Sequence, residues 1–385
     1  MNKKDVLKNL IEIDSGYAFK SSFFNDNFEG IPIIRIRDIN SGIAETYYSG
    51  DYEEKFIVNN DDLLIGMDGN FKIRKWSGGK ALLNQRVCRI KSISNKLSNE
   101  YLYRILPLEL KLIEDKTSFV TVKHLSVKDI NNIELIIPDI DIQNKIVKII
   151  DKSQELIDNR KKQIEELDLL VKSKFIEMFG DPFNDEKGYG IKKLGEVTEV
   201  NPKKSEIKEL DKDLIVSFVP MDRVSEKGEF APELSKPISE VYNGFTYFKD
   251  NDVLFAKITP CMENGKGAIA INLSNGIGFG STEFHVLRPI KDNSNPYWIY
   301  HLTTLIEFRR LAERKMTGSA GQKRVPTDFL NNVEVVIPPI ELQNQFADFA
   351  KQVDKLKFEM EKSLKELEDN FNSLMQKAFK GELFK

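Results

Sequence analysis

Two patterns of apolar and polar positions alternate along this chain, and each of them occurs twice. Short β-rich runs such as IPIIRIRDI, EKFIV and QRVCRI early in the chain, and LIVSFVP, DVLFAKI and EFHVLRP later, are separated by clusters of Gly, Asn, Asp and Ser. Period-two runs broken by turn residues predict strands, so each half opens with a mainly β domain. After Pro138 the period changes: Ile142, Ile146, Ile149, Ile150, Leu156, Ile157, Ile164, Leu167, Val171, Phe175 and Met178 recur at helical spacing, which predicts a long amphipathic helix. A second such helix follows Pro338, with Leu342, Phe346, Phe349, Val353, Leu356, Leu364, Leu367, Phe371, Leu374 and Phe379 on its stripe.

The two blocks are copies. NNIELIIPDIDIQN at 131–144 and NNVEVVIPPIELQN at 331–344 align without a gap at an offset of 200 residues, with eight of fourteen positions identical. The register runs on through Leu156/Leu356, Glu166/Glu366, Leu167/Leu367, Ser173/Ser373 and Phe179/Phe379. Upstream the halves agree only loosely: IIRIRDI faces VSFVPMDRV, NDDLLIG faces NDVLFAK, and YLYRIL faces YWIYHL, each of the last pair preceding a basic segment, TVKHLS or GQKRVP. A repeated frame with divergent upstream surfaces is what two reading heads for different targets require; relaxed constraint after duplication produces the same contrast.

The pattern therefore predicts an α+β chain: a mainly β domain at 1–139, a long helix at 140–180, a linker at 181–190, a second β domain at 191–339 and a second long helix at 340–385. Gly180 and Pro182 stop the first helix and Gly381 is positioned to cap the second. A helix from Ile142 to Phe179 extends about 55 Å at 1.5 Å per residue, long enough to act as a ruler. Its stripe has to be buried, and equal length and shared origin favour pairing of the two helices through Ile146, Ile149, Leu156, Ile164 and Leu167 on one and Phe346, Phe349, Val353, Leu356, Leu364 and Leu367 on the other. Docking a partner helix or capping the helix's own domain would also bury the stripe.

Composition narrows the functional classes. The chain has 385 residues, 41% hydrophobic and 30% charged, which suits folded domains with true cores. Lys and Arg number 57 against 60 Asp and Glu, a net charge of −3, so any nucleic-acid surface must be a local patch. The N-terminus lacks a signal-peptide core and no stretch has the roughly 18–20 apolar residues of a membrane span, which leads us to expect a cytoplasmic protein. Cys88 and Cys261 lack partners at metal-ligand spacing and are expected to be reduced, buried and structural.

No catalytic motif is recognisable. The nearest approach to an amino-methyltransferase tetrapeptide is Asn295-Pro296-Tyr297-Trp298, which lacks the second proline and reads better as a helix start. Gly276-Ile277-Gly278-Phe279-Gly280 is not followed by a phosphate-binding helix and reads as a β-turn. There is no ATP-binding P-loop, and His124, His285 and His301 are scattered, with core or surface roles expected. Asp139, Asp141 and Lys145 form a nuclease-like group, but the duplicate has Pro339, Glu341 and Gln345 there.

The ordered combination of β-rich half, IIPDIDIQNKIVKIID, long helix, MFGDP, KKLGEV, second β-rich half, IPPIELQNQFADFAKQVDKL, long helix and KAFKGEL resembles the specificity subunits of Type I restriction-modification enzymes over nearly the whole chain. The resemblance implies two target recognition domains, an antiparallel coiled coil that fixes their separation, and an asymmetric bipartite double-stranded DNA target. It also implies a non-catalytic subunit that docks two adenine-N6 methyltransferase subunits and is joined by motor-nuclease subunits, with S-adenosylmethionine and ATP/Mg bound by those partners and no cofactor on this chain. Asp139 and Lys145 depart from the pattern where Pro339 and Gln345 follow it, which puts in doubt that both ends dock a partner in the same way. A coiled-coil assembly scaffold without DNA specificity is the alternative, and a self-sufficient methyltransferase or nuclease is the enzymatic one.

Base edges are read chiefly by Arg, Asn and Gln, whereas Lys and backbone amides hold phosphates. The basic candidates in the first half are Arg35, Arg37, Lys72, Arg74, Lys75, Arg86 and Lys123; in the second they are Arg223, Lys257, Lys266, Lys323 and Arg324, the last two within TGSAGQKR, whose backbone amides could seat phosphates. A solvated surface charge is the ordinary role of any one of them, so they are read as a patch.

Overall fold

The computed structural model describes residues 4–116, 123–232, 234–319 and 321–384. Thr121 and Val122 of the TVKHLS segment and Ala320 of the TGSAGQKR loop lie outside the described residues. The chain forms two compact units, Met1–Lys161 with Lys362–Lys385, and Lys162–Glu361.

In the first unit a four-stranded antiparallel sheet runs in the order Ile11–Ser15, Val87–Ser92, Leu63–Gly66, Ile73–Lys75. A second sheet runs Phe24–Asn25, Tyr47–Tyr48, Ile31–Ile34, Ala81–Leu83, Ile57–Val58, with Ile31–Ile34 and Ala81–Leu83 parallel. A ribbon pairs Lys4–Val6 with Glu134–Ile136. The second unit repeats the plan. Its four-stranded sheet is Thr198–Val200, Phe284–Pro289, Val253–Ala256, Gly267–Ile269, and its second sheet contains the parallel pair Ile215–Val219 and Ile277–Gly280. The ribbon here is Ile191–Lys193 with Glu334–Val336.

Strand periodicity explains why the central strands are apolar throughout. Successive side chains of a strand point to opposite faces, so Leu63 and Ile65 enter one core while Leu64 enters another. Val253 and Phe255 likewise separate from Leu254 and Ala256. One core in each unit lies under helices, Asn99–Lys116 in the first and Pro296–Thr304 with Ile306–Lys315 in the second. Arg89 pairs with Asp14 and Asp62, and Arg288 with Asp252 and Glu206, so these two arginines are tied into the fold.

The long helices are Ile140–Phe179 and Ile340–Phe379, and Gly180 and Gly381 follow them with φ of 77° and 64°. Each helix starts on a fully buried glutamine. Gln143 Nε2 donates to the carbonyls of Lys96 and Pro138 while its Oε1 accepts from Ser98 N; Gln343 makes the same bonds to Asn293, Pro338 and Asn295. This explains the repeated proline-to-glutamine spacing: the amide supplies two donors and an acceptor to backbone groups that meet at the helix start, among them the buried carbonyls of Pro138 and Pro338.

The helices pair antiparallel within each unit. In the first, Ile146 and Ile150 share a core with Phe371, Met375 and Ala378, and Lys161 Nζ meets Glu368 at 2.8 Å. In the second, Leu167, Val171, Phe175 and Phe179 pack with Phe346, Ala350 and Val353, and Lys357 Nζ meets Asp168 at 2.7 Å. Ile164 is buried, and Ile149, Phe349, Leu364 and Leu367 are half-buried. Leu156 and Leu356 are corrections: both are exposed, at 45% and 46%. One residue along a helix is a 100° turn, and the inward positions are taken by their neighbours Ile157, 3% exposed, and Lys357.

Asn295 caps the helix Pro296–Thr304, its side chain accepting from Tyr297 N at 2.9 Å. The glycine-rich segment is not a turn: only Gly276 closes one, and Ile277–Gly280 is a buried strand. Glycine is required there because a Cβ on Gly278 would come within 2.2 Å of the Phe248 ring. Cys88 is buried, with burial pushing its thiol up to about 12, but Cys261 is only partly buried. Among the described residues no helix is long and apolar enough to cross a membrane.

Candidate nucleic-acid interface

The end of the strand Leu63–Gly66 and the end of Val253–Ala256 carry one backbone frame. Met67 N donates to Arg86 O and Met67 O accepts from Leu125 N; Lys257 N donates to Glu283 O and Lys257 O accepts from Val325 N. Gly69 N donates to Lys123 O as Thr259 N does to Lys323 O. Antiparallel bridges join Asp68 to His124 and Ile258 to Arg324. Two loops far apart in sequence are thereby clamped to a strand end by the same bonds in both units.

The side chains on this frame differ. In the first unit Asp68 is the centre: its carboxylate lies 2.6 Å from His124 Nδ1 and 3.4 Å from Arg86 Nε. In the second the carboxylate sits on the opposite segment. Glu283 receives Arg324 Nε at 2.9 Å and Nη2 at 2.8 Å, and Arg324 Nη1 donates to Gln322 O. The Arg324 guanidinium, followed by Lys257, holds the Glu283 carboxyl below its usual range, whereas burial pulls the Lys257 ammonium down. Buried His285 supports the loop by donating from Nε2 to Val325 O at 2.7 Å, with Nδ1 facing Asn201; burial lowers its imidazole, in keeping with a neutral ring.

The sequence candidates divide between this frame and other work. Arg37 and Lys72 line a cavity of about 300 Å³ together with Asn40, Asp68 and Asn70, and Asp68 is the carboxylate that Arg86 meets. Arg35 is half-buried. Arg74 is spent on the carbonyls of Ile39 and Asn40 at the end of the short helix Asp38–Ser41. Lys75 is paired with Glu100 at 2.6 Å and Asp61 at 3.4 Å, and Lys123 Nζ donates to Glu114 O at 2.7 Å. In the second unit Lys257, Lys323 and Arg324 share the frame, and Lys323 lines a cavity of about 630 Å³ with Thr259, Glu263, Arg310 and Arg314. Lys266 instead donates to Met221 O, at the turn Met221–Arg223 that also carries Arg223. Sequence reasoning missed His124, Asp68, Glu283, Arg310 and Arg314. The i, i+4 spacing of Arg310 and Arg314 was a usable signal; the other three are recognisable only once the loops are brought together.

The sequence model of one family, described as the Type I restriction modification DNA specificity domain, matches residues 3–169 and again residues 186–369. The chain belongs to that family. The specificity domain thus occurs twice, in agreement with the duplicated frame. Among relatives, the Type I restriction enzyme EcoBI specificity subunit of Escherichia coli is 39% identical over 166 residues, 43% of this chain and 35% of that protein. The EcoAI specificity subunit of the same organism is 40% identical over 165 residues, 43% of this chain and 28% of that protein; the match thus spans about a third of the length of these relatives. The MjaVIII specificity subunit of Methanocaldococcus jannaschii is 21% identical over 93% of this chain and 88% of that protein. The crystal structure of the Type I restriction-modification S subunit from M. genitalium shares the fold with a TM-score of 0.55 at 14% identity, covering 98% of this chain and 96% of that one. A structure described as the basis of complex assembly and conformational transition of the Type I system does so with a TM-score of 0.57 at 15% identity, covering 99% and 98%.

Proposed function

We propose that this chain is the DNA sequence-specificity subunit of a Type I restriction-modification complex and performs no chemistry itself. Each β-rich unit reads one half of an asymmetric bipartite target in double-stranded DNA. The paired helices set the unread gap and dock two adenine-N6 methyltransferase subunits, which bring S-adenosylmethionine; motor-nuclease subunits bring ATP and Mg for cleavage. The complex acts in the cytoplasm, where it meets DNA. The observation that carries this reading is the repeated frame: one backbone arrangement, held by the same bonds in both halves, presents Asp68, Arg86 and His124 in one and Lys257, Glu283 and Arg324 in the other. Equal frames with unequal polar surfaces suit recognition of two unlike half-sites. With a net charge of −3, affinity has to come from such local clusters rather than from a basic surface.

The test is a genome-wide map of N6-methyladenine in cells carrying this chain with its methyltransferase partner and in cells lacking only this chain. One bipartite motif with a fixed gap is expected to vanish with the chain. Unchanged methylation in the presence of active partner would sink the proposal and leave an assembly scaffold in its place.

A further inference from the structure

We propose that the strand-end clusters are base-reading positions, Arg86 and His124 held by Asp68 in the first unit and Arg324 held by Glu283 in the second. This rests on the reading of the chain as a DNA-specificity subunit and assigns which side chains do the reading and with what chemistry.

Exposure gives the first argument. The carboxylates lie underneath, with the Asp68 and Glu283 side chains 23% and 25% exposed, and the groups they hold lie outermost, Arg86 at 56%, His124 at 50% and Arg324 at 42%. The polarity of the frame gives the second. Position 86 is Arg where its counterpart 283 is Glu, and His124 stands where the other unit has Arg324. The backbone bonds already close the frame in both units, so the ion pairs are not needed to hold the loops; yet a buttressed outward group is built twice, from opposite segments.

The geometry then indicates what each cluster would accept. A guanidinium has five N–H donors. Arg324 gives Nε and one Nη2 proton to Glu283 and one Nη1 proton to Gln322 O, which leaves one proton on each Nη. Two such donors match the O6 and N7 acceptors of guanine in the major groove. In the first unit His124 Nδ1 donates to Asp68, which leaves the ring's Nε2 beside the Arg86 donors. Those guanidinium donors suit a base edge that offers acceptors. Arginines fixed by a carboxylate before binding lose less rotamer freedom on contact.

The test uses the full chain assembled with its methyltransferase partner, carrying Arg324→Gln, Arg86→Gln or Glu283→Gln, and compares methylation maps with wild type. Arg324→Gln is expected to relax one base pair in one half of the motif, and Arg86→Gln one base pair in the other half, discrimination falling roughly 5- to 150-fold there and nowhere else. Glu283→Gln is expected to relax the same base pair as Arg324→Gln, which a merely structural loss would not do. If a variant loses methylation altogether, binding of the assembled complex to duplexes each altered at one base pair reads the same discrimination. A motif unchanged in both arginine variants would overturn the proposal while leaving the specificity reading intact. So would equal weakening on every duplex with a shallower salt dependence, the mark of a phosphate contact. Absence of any bipartite motif in the wild-type map would instead remove the specificity reading itself.

Discussion

His301 lies against Phe346 with ring centroids 5.2 Å apart, and burial, followed by the nearby Lys172 charge, pushes its imidazole down from 6.5 to about 4. Between these values the unfolded chain binds a proton that the folded unit refuses, so stability present above pH 6.5 is lost as pH falls and reaches its full loss, up to about 3 kcal/mol, near pH 4. Followed by hydrogen exchange in residues 162–361, the second unit should lose about 2 kcal/mol more between pH 7 and pH 5 in the wild type than in His301→Phe; equal losses would show that the histidine is not the cause. His285 shifts in the same direction for the same reason and remains as background in both proteins. At this scale the sequence was least informative. Arg74, Lys75 and Lys123 looked no different from Arg86 as letters, but the carbonyl that Arg74 serves is 35 residues away and the carboxylate that holds Lys75 is 25 residues away. Side-chain partners set by chain folding leave no local signal, so the basic patch was legible as composition and its members' duties were not.

The long helices were legible because a stripe at 3.6-residue spacing is a local property, and so were their ends, where Gly180 and Gly381 adopt the left-handed backbone that glycine reaches without strain. Which of two adjacent apolar residues faces the partner helix was not, since a two-residue ambiguity such as Leu156-Ile157 fits the stripe either way. The distinction is measurable. Ile157→Asp should cost about 3–5 kcal/mol and lower the midpoint of thermal unfolding by several degrees, whereas Leu156→Asp should stay within about 0.5 kcal/mol of wild type. Comparable losses in the two variants would contradict the seam described here. The strand Ile277–Gly280 shows the opposite failure. Its glycines suggested a turn, but Gly278 is demanded by the Phe248 ring that lies on it, a neighbour the local pattern does not contain.

Across the whole molecule, chain order and compact units disagree. The last 24 residues, Lys362–Lys385, belong to the unit that contains the first β domain, and Met375 and Ala378 sit in its core with Ile105, Leu110, Ile146 and Ile150. A charge placed there should therefore act on the opposite end of the sequence. Ala378→Asp is expected to destabilise the first unit by several kcal/mol, seen as faster hydrogen exchange in residues 99–110 with the second unit unchanged; loss of protection in residues 253–287 alone would refute it. The sequence by itself determined the duplication, the α+β class, the two β-rich halves, the two long helices and the family, because repeats and hydrophobic periods are written into neighbouring residues. Only the tertiary structure decided that each unit closes with a segment of both helices, and that Asp68 serves Arg86 and His124 while Glu283 serves Arg324. Those choices depend on contacts between residues tens to hundreds of positions apart, whose energies exist only once the strands have brought the loops together.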